Sequence, residues 1–347
     1  MSMTITQILS SDRQSNLQVD ALLHQTGIRR DGNLDYTCGI FDDDWNLIAT
    51  GSCFQNTIRC LAVSDNHQGE GLLNQIISHL VDVQMMRGNS HLFLYTKPES
   101  AKFMADLGFY EIARVPKSLI FMENRRGGFT RYCNSLCSMQ SGGSKIAGIV
   151  MNANPFTLGH LHLVEQAARE NDTVHLFILS EEAGPIPFSV REMLVRQGVH
   201  HLNNVICHSS GPYLISSATF PSYFLKDSDS AIRTQAELDL LVFSKISEVL
   251  GIQRRYVGQE HSSHVTALYN EVMLQKLPGL GIDCIEIPRL VEGKTIISAS
   301  TVRQAIHDGR LEDIKAWVPE STYTFFHSEQ GQAVCSAIQQ ETNVIHY

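Results

Sequence analysis

Long apolar runs are missing from this chain of 347 residues. No stretch approaches the roughly 20 apolar residues that a membrane-spanning helix needs, so no membrane span is expected. A basic excess is missing too. Lys and Arg number 27 against 36 Asp and Glu, a net charge of −9, and the pI is near 5.9. That balance argues against a nucleic-acid scaffold. It does not argue against small anionic substrates, because a few local cations can hold a phosphate. The eight cysteines, Cys38, Cys53, Cys60, Cys133, Cys137, Cys207, Cys284 and Cys335, include no C-x-x-C pair. A disulfide framework is not expected, and reduced thiols fit a cytoplasmic protein. The opening MSMTITQILSSDRQ lacks a basic segment followed by an apolar one, so no signal peptide is expected. Internal repeats and low-complexity tracts are absent from the sequence.

What is present is an ordinary globular composition, 43% hydrophobic and 18% charged. The length suggests two domains. The small, polar, Gly/Ser-rich CNSLCSMQSGGSK suits a flexible linker. The expected division is therefore a first domain over 1–132, a linker over 133–144 and a second domain over 145–347.

Before the linker, LDYTCGIFDDDWNLIATGSCFQNTIRCLAVSD reads as successive strands broken by turns. The segment GEGLLNQIISHLVDVQMMRG is a helix, with Leu72, Leu73, Ile76, Ile77, Leu80 and Val83 at helical spacing. A buried strand HLFLYT, a short helix ending at Gly108 and a final strand YEIARV follow. After the linker, strands alternate with helices: KIAGIVMN, TLGHLHLVEQAAREN, TVHLFILS, SVREMLVRQGV, NVICHSS, QAELDLLVFSKISEVLG, RRYVGQ and SASTVRQAIHDGR. Ser189 and Glu192 fit a capping box. Alternation of this kind predicts a parallel sheet covered on both faces.

The stretch NANPFTLGHLHLVEQA sits directly between the first of these strands and its helix. A helix that follows the first strand of a parallel sheet aims its free N–H groups at the carboxyl edge, where anions bind. Gly159 removes a side chain where a phosphate comes close, and the Asn154-Pro155 turn stiffens the approach. His160 and Thr157 are placed to donate hydrogen bonds to phosphate oxygens. This is a physical case for a nucleotide-phosphate site at the place where open α/β sheets bind ligands. A plain strand-helix turn with a capping role is the alternative for any lone T-x-G-H.

NPFTLGH resembles the (H/T)-x-G-H signature of the nucleotidylyltransferase superfamily, and ISASTVR, Ile297 to Arg303, resembles its partner signature. This resemblance implies that Thr157 and His160 hold a nucleotide triphosphate, with Asn154 and Gly159 in the same wall. It implies that Ser298 and Ser300 bond phosphate oxygens and that Arg303 supplies charge to leaving pyrophosphate. The first domain resembles the GNAT acetyltransferase family in QGEGLLNQII and PESAKFMADLGFYEI. Gln68 and Gly71 match that family's acyl-CoA pyrophosphate loop, while Leu73 stands where a small residue is usual. The implied fold class is α/β: a GNAT-like domain followed by a Rossmann-like nucleotidylyltransferase domain with a parallel sheet.

The pairing of these two domains, with PFSVREMLV and YVGQEHSSHVTALYNEVM, resembles the citrate lyase ligase family. The resemblance implies an ATP-dependent, AMP-forming ligase. Acetate is activated as acetyl-adenylate and passed to the thiol of a CoA-like prosthetic group on the citrate lyase acyl-carrier subunit. A Mg²⁺ ion is expected, with no protein ligand for it legible. Competing readings are an adenylyltransferase that leaves AMP on a phosphate-bearing metabolite, a nucleotide-sensing interaction protein, and an acetyltransferase using acetyl-CoA through the first domain.

His261 and His264, in the loop after the strand ending near Gly258, are candidates for the base that activates the thiol. As a zinc site, one His-x-x-His pair is a weak signal. Arg191 and Arg196 are open between phosphate contact and a helix surface, and Arg254 and Arg255, which flank a strand, are equally open. Residues 212–229 read as a substrate loop. The first domain is expected to hold the prosthetic arm between splayed strands, as the GNAT resemblance implies.

Overall fold

The computed structural model describes residues 4–139, 142–182, 184–214, 228–260, 263–293 and 295–341. The chain divides into two compact units, Met1–Arg131 with Phe220–Leu241, and Tyr132–Thr219 with Val242–Tyr347.

The first unit begins with β1 (Ile5–Gln7), α1 (Arg13–Gln25), β2 (Tyr36–Phe41), β3 (Leu47–Phe54) and β4 (Thr57–Val63). It continues with α2 (Leu72–Met86), β5 (Phe93–Thr96), α3 (Ala101–Asp106), β6 (Tyr110–Val115) and β7 (Leu119–Glu123). Its seven strands lie in the order β1-β2-β3-β4-β5-β7-β6. The expected last strand, YEIARV, is β6, and β7 inserts between it and β5. Only the β4–β5 pair is parallel, and it holds for just two register pairs, Thr57 with Phe93 and Ile58 with Leu94. Beyond them the two strands part inside the sheet. α2 buries Leu72, Ile76, Ile77 and Leu80 on one face with Ile40, Ile58 and Leu94. α1 buries Val19, Leu22 and Leu23 with Ile8, Leu47 and Ala62.

The expected linker is helical as far as Cys137: α4 runs Gly128–Cys137. Cys133 and Leu136 are buried, so this polar-looking segment is fixed by two apolar side chains. All eight cysteines are free thiols.

The second unit continues with β8 (Ile146–Met151), α5 (Leu158–Glu170), β9 (Thr173–Ile178), α6 (Phe188–Gly198) and β10 (Val205–Ser209), and takes the part of α7 (Ser228–Leu250) from Val242 on. Then come β11 (Arg254–Gly258), α8 (His264–Lys276), β12 (Asp283–Ile287), a hairpin of β13 (Val291–Glu292) and β14 (Thr295–Ile296), α9 (Ala299–His307), α10 (Glu320–His327) and α11 (Glu329–Gln340). The five-stranded sheet is β10-β9-β8-β11-β12, and every pairing in it is parallel, as expected. Alternation puts Ala147, Ile149, Val174, Leu176 and Ile178 in one core with Val164 of α5, Leu194 of α6 and Val302 of α9. On the other face Phe177 meets Phe243 of α7 edge-on at 6.4 Å. The strand order reverses between β8 and β11, so the crevice of the sheet opens at their carboxyl ends.

The capping box expected at Ser189 does not form. Pro187 is the N-cap of α6 and has no side-chain cap bond; Glu182 Oε2 accepts the Phe188 N–H at 3.0 Å instead. Glu192 pairs with Arg196 at 2.8 Å. The helix starts two residues earlier than the Ser189 pattern implies, and a carboxylate from the preceding loop takes the capping role.

Candidate nucleotide site

The turn from β8 into α5 lies at the switch point. Thr157 is the N-cap of α5, and it is buried. Its hydroxyl accepts the His160 N–H at 3.3 Å and lies 2.9 Å from His160 Nδ1. His160 Nδ1 in turn accepts the Thr157 N–H at 3.1 Å. A histidine thus closes a reciprocal capping box in the place where glutamate or glutamine usually stands. The Thr157 hydroxyl is engaged by the cap, and it orients His160.

The cap settles the tautomer of His160. Burial, then the positive charges of Arg289 and Arg303, pull its pKa down to about 4. The ring is therefore neutral near pH 7. Nδ1 accepts, so Nε2 carries the proton. Nε2 makes no hydrogen bond among the described residues, and it is a donor in waiting for an anion.

The second signature meets the first. A Cβ added at Gly159 would sit 2.8 Å from the Ile297 carbonyl oxygen, so only glycine allows this approach of α5 to the start of α9. Ser298 is the N-cap of α9; its Oγ accepts the Thr301 N–H at 3.1 Å. Ser300 makes no side-chain hydrogen bond among the described residues and sits, half-buried, in the first turn. Arg303 is buried, and its Nη1 donates to the Asn154 carbonyl at 2.5 Å. It ties the two signatures together, and its charge reaches the ring of His160. Asn154 is buried in the turn itself.

Arg289 and Glu260 were not among the residues the sequence singled out. Arg289 follows β12, a strand the sequence reading omits, and donates through Nε to the Gln259 carbonyl at 2.6 Å. Its Nη2 forms an ion pair with Glu260. The signal was a short, partly apolar run, DCIEIPR, ending in a cation at the carboxyl edge. Gly258 ends β11 at that edge, with open space where a Cβ would stand.

Other expected residues fall elsewhere. Arg191 is wholly buried and donates only to carbonyls and to Asn152 Oδ1. It is neither a helix-surface residue nor a phosphate contact. Arg196 pairs with Glu192 and donates to the Cys207 carbonyl at 3.2 Å. Arg254 and Arg255 open β11, at the amino edge and away from the crevice. Arg254 donates to Asn171 Oδ1 at 3.3 Å, and the Arg255 guanidinium lies 4.1 Å from the Phe243 ring centre. His264 opens α8, exposed, while His261 and most of the loop at 212–229 lie outside the described residues. No group of three or more His, Cys, Asp or Glu side chains suited to a metal occurs among the described residues.

In the first unit, Gly71 is the N-cap of α2 at φ +74°, with no side-chain cap, and Gly69 stands at φ +88°. Gln68 is exposed and donates to Asp65 Oδ1 at 2.9 Å. Leu73 packs against the core of this unit, so its bulk turns inward.

A family model described as the citrate lyase ligase C-terminal domain matches residues 146–326. A [citrate [pro-3S]-lyase] ligase of Haemophilus influenzae is 36% identical over 323 residues, 91% of this chain and 96% of that protein. One of Klebsiella pneumoniae is 35% identical over 322 residues, 91% of this chain and 94% of that protein. Among solved structures, a GNAT-family acetyltransferase of Staphylococcus aureus covers 36% of this chain and 100% of its own, with a TM-score of 0.31 and 12% identity.

Proposed function

The chain belongs to the citrate lyase ligase family, and from that premise we propose how its own residues perform the ligation. The activity is the ATP-dependent acetylation that activates citrate lyase. The observation that carries the assignment of the site is the contact of the two signatures: Gly159 lies against Ile297, and Arg303 against Asn154.

The triphosphate lies over the N-termini of α5 and α9. There the first helical amides, His160 Nε2–H and the Ser300 hydroxyl offer hydrogen bonds, and the helix dipoles favour negative charge. A neutral histidine donor suits this place, because it stabilises charge that develops on the phosphate oxygens without losing a proton to them. Acetate attacks the α-phosphorus and pyrophosphate leaves from the opposite side. The protein mainly positions the partners. The thiol then attacks the acetyl carbon, and AMP departs. Arg303 holds the Asn154 carbonyl and adds long-range charge, while Arg289 adds a second cation near His160. The described residues offer no ligand set for Mg²⁺, so the ion is taken to arrive on the phosphates, as that metal usually does.

We further propose that the first unit receives the prosthetic arm. The parting of β4 from β5 after two register pairs leaves main-chain groups open to an amide-bearing thread. The bare amides at Gly71 suit its phosphates. Because residues 220–241 belong to this unit as well, removing residues 1–132 would leave a fragment of it behind, and point changes test the idea more cleanly.

The deciding experiment measures pyrophosphate release with ATP, Mg²⁺ and acetate, with and without the thiol form of citrate lyase. Release that requires acetate, rises with the thiol protein and yields AMP is expected. Acetate-independent release would point to an adenylyltransferase and overturn the reading.

A further inference from the structure

We infer that Glu181 is the general base that takes the proton from the acceptor thiol in the second step of the ligation. The inference rests on the ligase reading above and supplies a residue for which the histidines of the β11–α8 loop were the expected candidates.

Glu181 lies three residues beyond the end of β9, at the carboxyl edge, on the strand beside β8. Its place is fixed by Arg191 of α6. Arg191 Nη2 donates to the Glu181 main-chain carbonyl. Nη1 donates to Asn152 O at 2.8 Å, Asn152 Oδ1 at 2.7 Å and Leu179 O at 2.9 Å, and Nε to Ile186 O at 3.2 Å. One guanidinium therefore binds the loop of Glu181 to the first residue of the nucleotide-binding turn. Its donors are engaged by these acceptors, and none reaches the Glu181 carboxylate.

That carboxylate makes no hydrogen bond or ion pair among the described residues, and its Oε2 is buried. The side chain is half-buried, and a buried carboxylate oxygen without a partner is costly; a stable fold rarely keeps one without use. The charged groups around it are Arg191 from α6 and Glu182 from its own loop; Glu182 is occupied in capping α6. Burial pushes the Glu181 carboxyl up to about 7, against the lowering effect of Arg191. A free thiol ionises near pH 8.5, and the thiolate is the nucleophile. A carboxylate of raised basicity is well matched to accept that proton near neutral pH.

The step balances. The sulfur attacks the acetyl carbon and the S–C bond forms. The C–O bond to the adenylate phosphate breaks, and its electron pair leaves with AMP. The S–H proton passes to Glu181, which returns it to solvent. The first step has no such need, because acetate attacks phosphorus already ionised. Glu181 should therefore separate the two steps.

The test measures both steps in the full-length enzyme carrying Glu181→Gln, with Glu181→Asp beside it. The first is acetate-dependent exchange of pyrophosphate into ATP. The second is thioester formation on the thiol form of citrate lyase. Exchange is expected within about twofold of the parent, while thioester formation at pH 7 falls by about 10²-fold or more. The inflection near pH 7 in the second rate should vanish in Glu181→Gln, leaving a rise that follows thiol ionisation, and Glu181→Asp should restore part of it. An equal loss in both steps would make Glu181 structural and overturn the inference, as would an undiminished second step. If the parent enzyme shows no acetate-dependent exchange, the ligase reading itself falls, which is a separate result.

Discussion

The two helix N-termini proposed above as anion sites are closed in opposite ways. At the start of α5 the cap is a buried Thr157 locked to His160, with two arginines close by. At the start of α2 the cap is an exposed Gly71 that leaves the first amides unclaimed. The first arrangement orients one donor rigidly, which serves a reaction with a single charged transition state. The second offers main-chain amides without committing a side chain, which would suit the proposed grip of a phosphate that does not react. The difference teaches that a helix start becomes a reaction site through what its cap holds still, more than through its dipole.

The sharpest way to break the comparison is His160→Ala. It removes the oriented donor and half of the cap, and acetate-dependent pyrophosphate release should fall by about 10²- to 10³-fold. A loss below tenfold would place His160 in the cap alone. Gly159→Ala comes next. Its Cβ would meet the Ile297 carbonyl at 2.8 Å, and main chain yields poorly. A stability loss of about 1–3 kcal/mol, seen by thermal melting, should accompany at least a tenfold drop in release. Gly71→Ala should act differently. No atom obstructs the new methyl, but φ +74° costs a side chain about 1–2 kcal/mol. Thioester formation should drop a few-fold while pyrophosphate exchange stays near the parent rate. Equal effects on both would end the division of labour between the two units.

The smallest effect is on pH and stability. His160, His175 and His208 are each pulled by burial from 6.5 to about 4. Between those values the unfolded chain binds protons that the native histidines refuse. Their contribution is present above about pH 6.5 and is lost as pH falls through about 4. Glu181, raised from 4.5 to about 7, acts the other way: its contribution is lost as pH rises through 7. The three histidines should outweigh Glu181 and make the melting temperature climb between about pH 4.5 and 6.5. Glu181→Gln should steepen that climb by removing the opposing group. A flat profile would mean that the three histidines are hydrated in the native state.

The legible parts of the site were those written in contiguous residues. NPFTLGH and ISASTVR carry their own turn, glycine and cap, so their places at α5 and α9 followed from spacing and resemblance. The illegible parts depend on partners far along the chain. The hydroxyl of Thr157 was expected on a phosphate, but a side chain three residues on competes for it. Arg191 reads as one more helix cation until α6 docks and turns it inward. Arg289 was hidden because β12 is short and lacks a clean alternation, with Asp283 and Glu286 exposed three positions apart. The insertion of β7 between β5 and β6 is a choice of pairing partner, which alternation within a strand does not encode.

Arg191 also bears on the order in which the molecule is built. The turn proposed to receive the nucleotide is finished by a residue from the next βα unit, through bonds from Arg191 to Asn152 that span 39 positions of sequence. Local propensity makes a helix at α5, but this tie closes only when α6 has come to rest against the growing sheet, and closing such a loop is an entropic cost met late. A chain emerging from the ribosome and halted short of Arg191 carries the whole motif in sequence and lacks the tie that anchors it in space. The tie that anchors the turn therefore arrives with the second βα unit, and the site closes only when α9 brings Arg303 to Asn154.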